Sequence, residues 1–183
     1  FFYHPVVKLL ARDGGSRFLE KTPFHVLHLE YLARHFVNAK FINMIRDGRD
    51  GYVSNKRLTA GATLDQSVYE YSSLWKRSIV ARRKLGNHSR ILDVKYEDLT
   101  SNPSLWAKKI MDFLDEEFFE YQIRLGSSSG SKMFSGESGH ERLSQPIAPT
   151  SVGQWRKSLT QEEIEGFHST AGTMLEAMGY NLH

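Results

Sequence analysis

The sequence predicts an α/β domain in three layers, built on a parallel β-sheet. Two short, largely apolar and β-prone segments, "AKFINMI" and "ILDVKY", have the character of strands that are buried on both faces. Between them, residues 67–85 carry apolar side chains at helical spacing. A strand, a helix and a second strand in this order predict parallel pairing, because parallel strands need a crossover of that length.

The other helices are predicted from their start and stop signals. The dipeptide "TP" at 22–23 is typical of an N-cap followed by proline at the first helical position, and it begins a predicted helix over residues 23–36. The dipeptide "NP" at 102–103 starts another helix after the second strand. The segment "TQEE" at 160–163 has the spacing of a capping box for a last helix, which ends at Gly179.

Residues 126–153 interrupt this pattern with a stretch that is rich in glycine, serine and proline. A loop of that length inside a domain is usually functional or disordered. We therefore expect a mobile active-site loop here, within a single domain that covers residues 1–183.

Composition limits the class of protein. The chain has 183 residues, of which 40% are hydrophobic and 25% charged, as in one soluble domain with a sizeable core. No apolar run approaches the roughly 20 residues that cross a bilayer. The absence of cysteine excludes a disulfide framework and thiolate metal sites but leaves the compartment open, with the cytoplasm as the expectation. A net charge of +3 suits an anionic ligand, although a generally basic surface would explain it equally well.

The segment "RDGRD" follows directly after the first predicted strand. Ligands of parallel α/β sheets bind beyond the carboxyl ends of the strands, where a helix N-terminus offers free N–H groups. Arg46 lies at that end and can bind a phosphate through two hydrogen bonds, while Ser54, eight residues later, can add a hydroxyl. The alternative is that Arg46, Asp47, Arg49 and Asp50 form a solvated salt-bridge cluster that caps a helix.

The order of several segments resembles a known family. These segments are "EKTPFHVLHLEYLARHFVNAKFINMIRDGRDGYVS", "VKYEDLTSNP", "VGQWRKSLTQEEIEGF" and "MGY". They are similar to the sulfotransferases that use 3′-phosphoadenosine 5′-phosphosulfate, above all to the bacterial and tyrosylprotein types. The resemblance implies a P-loop-like sulfotransferase fold and transfer of a sulfuryl group from this donor to a hydroxyl or phenol acceptor.

The resemblance also assigns roles to individual residues. Lys21 matches a lysine beside the sulfuryl group, where it would stabilise charge on the leaving phosphate. His25 is a candidate general base, with Glu20 as a weaker one. The residues that match donor-binding positions are Arg46 and Ser54 at the 3′-phosphate, Tyr96 at the adenine, Ser144 in a loosely aligned segment, and Arg156 or its neighbour Lys157 as an extra phosphate contact.

Two departures qualify this match. The Arg-Lys-Gly run of the cytosolic members is replaced by Ala148, Pro149 and Thr150. Members of the family also begin with a strand and a loop that binds the 5′-phosphosulfate, and residues 1–20 contain only "RDGGSRF", which we interpret as a turn. We therefore expect the N-terminal strand and phosphosulfate loop to be absent from this chain, and no metal to be required.

Two other functions stay open. An incomplete donor site is compatible with a non-catalytic, nucleotide-binding relative. Alternatively, a basic helix could bind nucleic acid, although such a run is more often a solvated helix face, and we expect no nucleic-acid partner. The acceptor and the oligomeric state cannot be predicted. The basic residues are Lys76, Arg77, Arg82, Arg83 and Lys84.

Overall fold

A computed structural model describes residues 17–59, 66–123 and 147–183. Within these ranges the strands are β1 (Phe41–Ile45) and β2 (Ile91–Lys95). The α-helices are α1 (Leu29–His35), α2 (Gly48–Thr59), α3 (Val68–Arg83), α4 (Tyr96–Ser101), α5 (Pro103–Leu114), α6 (Trp155–Ser158) and α7 (Gln161–Ala177). Short 3-10 helices occupy Pro23–His28, Glu120–Ile123 and Pro149–Ser151.

The sheet confirms the predicted α/β class. β1 and β2 pair in parallel, in a register that runs from Phe41 opposite Ile91 to Ile45 opposite Lys95. The connection between them contains α2 and α3, and α3 is the long predicted helix. Helices α4 and α5 pack against β2, whereas α3 packs against α7. The two strands therefore end side by side, and the loops that follow them share one edge of the sheet.

A core cluster of the described residues lies between α2, α3 and α7. Phe167, Ala171 and Leu175 of α7 have no exposed surface, and they recur at helical spacing on one face of that helix. Tyr52 and Val53 of α2 pack into the same cluster. This core holds the first turn of α2, and hence the "RDGRD" loop, in a fixed position.

Both ends of α7 match the sequence signals. Thr160 and Glu163 form the predicted capping box, in which each side chain bonds the backbone N–H of the other residue. Gly179 follows the helix with φ of 78°, a left-handed conformation that favours glycine.

Two predicted boundaries were wrong in detail. Tyr96 begins α4 and does not end the second strand, since pairing stops at Lys95. Residues 23–28 form a 3-10 helix, and Thr22 does not cap it with its side chain, because the Thr22 hydroxyl donates to Glu20 at 2.5 Å. Of the predicted mobile loop, residues 126–146 lie outside the described residues, and the part that is described includes the 3-10 helix Pro149–Ser151.

Candidate functional site

The "RDGRD" loop joins β1 to α2 and is closely packed. The Asp47 carboxylate accepts the backbone N–H of Arg49 at 2.9 Å, so Asp47 caps the start of α2. Gly48 is required between them, because a Cβ atom there would lie 2.5 Å from the Phe167 ring and 2.8 Å from the Trp75 ring. The indole of Trp75 also donates to the Arg46 carbonyl at 3.0 Å. The backbone of the loop is therefore held between the sheet edge and α3.

Arg49 is buried in this loop and uses its hydrogen-bond donors within the fold. Its side chain is 1% exposed, and its guanidinium donates to the Asp47 carboxylate at 2.8 Å and to the Asn181 carbonyl at 2.7 Å. It also stacks on the ring of Trp155, with 3.7 Å from the guanidinium carbon to the ring centroid. The alternative of a solvated cluster is therefore wrong for Asp47, Arg49 and Asp50, all of which are buried.

Glu97 connects the loop to the C-terminal segment. One oxygen of its carboxylate accepts the backbone N–H of Asp47 at 2.9 Å, and the other accepts the Tyr180 hydroxyl at 3.2 Å. Burial, together with the charge of Glu97, raises the pKa of Tyr180 far above its ordinary value. Tyr180 therefore stays a neutral hydrogen-bond donor. This contact explains the position of the "MGY" segment.

Asp50 connects α2 to the segment before α6. Its two oxygens accept the backbone N–H groups of Gly153, at 2.6 Å, and Trp155, at 2.9 Å. Burial raises the pKa of the Asp50 carboxyl, and these two hydrogen bonds oppose that effect because they favour the charged form.

Arg46 differs from the other charged residues of the loop. One Nη atom donates to the Ser151 carbonyl at 2.7 Å, and the guanidinium lies over the ring of Tyr96 at 4.5 Å. Among the described residues, its Nε atom is a buried donor that has no acceptor. A buried donor without an acceptor is costly, so Arg46 is suited to an additional anionic ligand.

Arg46 faces a small, polar cavity of about 30 Å³. α2 contributes Asp50, Val53, Ser54 and Arg57 to its lining, and these positions follow one face of a helix. The lining therefore combines two guanidinium groups and a hydroxyl, which can bind a phosphate, with the carboxylate of Asp50. Its lining residues are Arg46, Asp50, Val53, Ser54, Arg57, Ser151 and Gln154.

Sequence reasoning placed Arg46 and Ser54 together at this cavity but missed Arg57. The signal was available, because Arg57 follows Ser54 by three residues and so lies on the same helical face. The sequence prediction did not include Arg57, because the segment that resembles the family ends at Ser54. Gln154 and Ser151 could not have been found from spacing, since they come from a segment about a hundred residues away.

Lys21 and His25 lie apart from this cavity's lining, before and within the first 3-10 helix. Lys21 is exposed, whereas His25 is half-buried. The Nδ1 atom of His25 lies 2.8 Å from a carboxylate oxygen of Glu20, and the other oxygen of Glu20 accepts the Thr22 hydroxyl. The two residues predicted as alternative bases are thus in contact with each other.

Two other residues that the sequence predicts to contact the donor are Arg156 and Ser144. Arg156 is exposed, stacks on Trp155 at 4.3 Å and donates to the His183 carbonyl at 2.8 Å, and it is not among the residues that line the cavity. Ser144 lies outside the described residues. Their roles stay predictions.

The basic helix α3 is less solvated than expected. Arg82 is buried and pairs with Asp93 at 2.8 Å. Lys76 donates to the Thr170 carbonyl at 3.1 Å, and Arg83 donates to the Ala177 carbonyl at 2.9 Å. The expectation of a wholly solvated face was therefore wrong, because three of these cations contact the neighbouring strand, loop and α7.

The described residues contain neither a membrane-spanning helix nor a cluster of metal ligands. None of the helices in residues 17–59, 66–123 and 147–183 is both long and apolar enough to cross a membrane. Within the same ranges, no three histidine or carboxylate side chains gather as metal ligands would.

The chain is similar to named proteins along nearly its whole length. It is 27% identical over 189 residues to protein-tyrosine sulfotransferase 1 of Danio rerio, a match that covers 97% of this chain and 53% of that protein. Against protein-tyrosine sulfotransferase 1 of Homo sapiens the identity is 26% over 188 residues, covering 96% of this chain and 50% of that protein. The chain thus spans about half the length of these relatives.

A solved structure and a family model give the same result. The fold matches a sulfotransferase domain from the curacin biosynthetic pathway with a TM-score of 0.71 and 18% identity, covering 98% of this chain and 68% of that chain. The family model described as "Sulfotransferase family" matches residues 4–120, which is more than half of the chain. Because this match covers more than half of the chain, the chain belongs to the sulfotransferase family.

Proposed function

We propose that this protein transfers a sulfuryl group from 3′-phosphoadenosine 5′-phosphosulfate to a hydroxyl or phenol acceptor. The observation that carries this proposal is the cavity at the end of β1, where Arg46, Ser54 and Arg57 meet. The buried Nε of Arg46 supports a bound anion there. The names of the matched relatives favour the phenol of a protein tyrosine as the acceptor.

The donor's 3′-phosphate would occupy this cavity, where each guanidinium offers charge-assisted hydrogen bonds. Tyr96 would hold Arg46 on one side and lie beside the adenine. In the transfer step, an acceptor oxygen attacks sulfur, the bond between sulfur and the bridging oxygen breaks, and the electron pair stays on the nucleotide phosphate. Lys21 would stabilise that developing charge.

The proton of the acceptor needs a base, and we assign it to His25. A hydrogen bond from Nδ1 to Glu20 would fix the tautomer in which Nε2 accepts the proton. The carboxylate would also stabilise the imidazolium that forms. The pairing of His25 with Glu20 supports this assignment over Glu20 acting alone.

Ligand class can be tested by calorimetry with two nucleotides. We expect adenosine 3′,5′-bisphosphate to bind more tightly than AMP, because only the bisphosphate fills the cavity. Arg46→Ala should weaken bisphosphate binding by about 10- to 100-fold, the effect of losing a bidentate charged contact of roughly 1.5–3 kcal/mol. Arg34→Ala, which removes the same charge from the exposed face of α1, is the control. Equal affinities of the unchanged protein for the two nucleotides would reject the donor.

Lys21 should have a different effect from Arg46. Because the bisphosphate lacks the sulfuryl group, Lys21→Ala should leave its affinity within a few fold. Sulfate transfer by the full-length protein should fall by on the order of 10²–10³, the usual effect of losing one positioned charge at a developing anion. Single-turnover transfer to tyrosine peptides and simple phenols measures this. If Lys21→Ala weakens bisphosphate binding as much as Arg46→Ala and leaves transfer intact, Lys21 belongs to the binding site.

A further inference from the structure

A buried carboxylate lines the cavity that would hold the phosphate. Asp50 is 1% exposed and lies in the same cavity as Arg46, Ser54 and Arg57. A negative charge beside a phosphate is unfavourable unless the carboxylate has another role. Binding of a phosphate therefore does not explain why the Asp50 carboxylate lies in this cavity.

Both oxygens of Asp50 are bonded to one short segment. Oδ2 accepts the Gly153 N–H and Oδ1 accepts the Trp155 N–H, at 2.6 and 2.9 Å. Gly153 has φ of 72°, which turns the backbone so that both N–H groups point at the same carboxylate. Two charge-assisted hydrogen bonds to backbone N–H groups hold the segment firmly in place, and they also partly offset the negative charge of the carboxylate.

The anchored segment in turn contacts the phosphate-binding arginine. Ser151, two residues before Gly153, accepts an N–H of Arg46 through its carbonyl at 2.7 Å. Ser151 and Gln154 also line the cavity. The position of Arg46 thus depends on residues 151–155, and the position of those residues depends on Asp50.

We propose that Asp50 is a positioning residue of the donor site, which sets the preference for a 3′-phosphate by holding residues 151–155 against Arg46. It acts through the backbone of Gly153 and Trp155 and does not contact the phosphate. This role deepens the proposed function and rests on it. Asp50 thereby connects the nucleotide cavity to the C-terminal end of the predicted active-site loop.

Asp50→Asn tests this role because it keeps the size of the side chain but retains only one acceptor for two N–H groups. We expect bisphosphate affinity to fall by about tenfold while AMP affinity stays within about threefold, the loss of one charged hydrogen bond. Gly153→Ala should produce the same selective loss, since it strains the segment without changing any charge in the cavity. Asp112→Asn, on the exposed face of α5, is the matched control for losing one negative charge.

The outcomes separate this proposal from the proposed function. If Asp50→Asn binds the bisphosphate more tightly, Asp50 acts only as an opposing charge, and the positioning role is wrong. If both nucleotides lose affinity equally in Asp50→Asn and in Gly153→Ala, the anchor only maintains the fold, which also overturns the proposal. An unchanged protein that does not prefer the bisphosphate would reject the donor itself, and with it this role.

Discussion

At the scale of single residues, the two arginines of the "RDGRD" loop differ in the hydrogen-bond acceptors that surround them. Arg49 is buried against Asp47 and Trp155 and uses its donors within the fold. Arg46, three residues earlier, keeps a buried Nε without an acceptor among the described residues. The residue type is the same, and the difference comes from the acceptors that surround each guanidinium.

Arg57 offers a direct test of whether the cavity binds the 3′-phosphate. Because Arg57 supplies the second guanidinium of the cavity, Arg57→Ala should lower bisphosphate affinity by about tenfold, with little effect on AMP. Arg57→Lys should restore only part of the loss, because an ammonium group cannot form the bidentate contact. Calorimetry measures both.

Arg77→Ala is the matched control, since Arg77 is exposed on α3. An equal loss in Arg77→Ala would mean that overall charge, and not the cavity, determines affinity. The same result would favour the basic-surface alternative.

At the scale of secondary structure, the start of α2 determines where the site lies. Asp47 caps the helix, and the first turn passes so close to α3 and α7 that only glycine fits at residue 48. The helix then presents Asp50, Ser54 and Arg57 on one face. Packing at the first turn therefore sets the direction of the helix face that lines the cavity.

Gly48→Ala should destabilise the protein by roughly 1–3 kcal/mol, because the added methyl group overlaps the Phe167 and Trp75 rings. Gly172→Ala in α7 is the matched control, since its nearest neighbour would be 3.8 Å away. That change should be neutral or stabilise the helix by up to about 1 kcal/mol. Urea unfolding measures both variants. Equal stability of the two would show that the close contact at residue 48 relaxes without cost.

At the scale of the whole molecule, the site is assembled from segments that are far apart in sequence. The loop after β1 contacts Glu97 after β2, the segment around Ser151, and Asn181 near the C-terminus. His168 of α7 also joins this network, with Nε2 3.1 Å from an Nη atom of Arg49. Arg49 and its partners consequently connect these segments to one another.

This network should make stability sensitive to acid. Burial and the neighbouring Arg49 lower the pKa of His168 below its ordinary 6.5, with Asp47 opposing and His183 adding to the effect. Below pH 6.5 the unfolded chain therefore binds more protons than the folded one, and stability falls as the pH falls towards the folded pKa.

His168→Gln keeps an acceptor for Arg49 but does not titrate. Between pH 7.5 and 5.5 its free energy of unfolding should therefore fall less than that of the unchanged protein. The difference should be up to roughly 1.4 kcal/mol for each unit by which folding lowers the pKa of His168. His28→Gln, at an exposed position, should behave as the unchanged protein does. Urea unfolding at the two pH values measures this. Identical acid sensitivity in His168→Gln would assign the effect to other groups.

The sequence by itself determined the class of fold and the approximate positions of its main elements. Short, apolar and β-prone segments identified β1 and β2, and apolar residues at helical spacing identified α3 and α7. The capping signals identified the start of α7. The position of Arg46 after a buried strand, with Ser54 in the next helix, was likewise enough to predict an anion site. These signals are local, so a single segment contains all of the information.

Tertiary structure alone decided which charges are available to a ligand. No local pattern shows that Arg49 is stacked on Trp155, that Glu97 bonds both Asp47 and Tyr180, or that Asp50 holds Gly153. These partners lie between about fifty and more than a hundred residues apart in sequence. The hydrogen bonds of a buried charge depend on which elements pack beside it, and that is settled only when the sheet and its helices assemble.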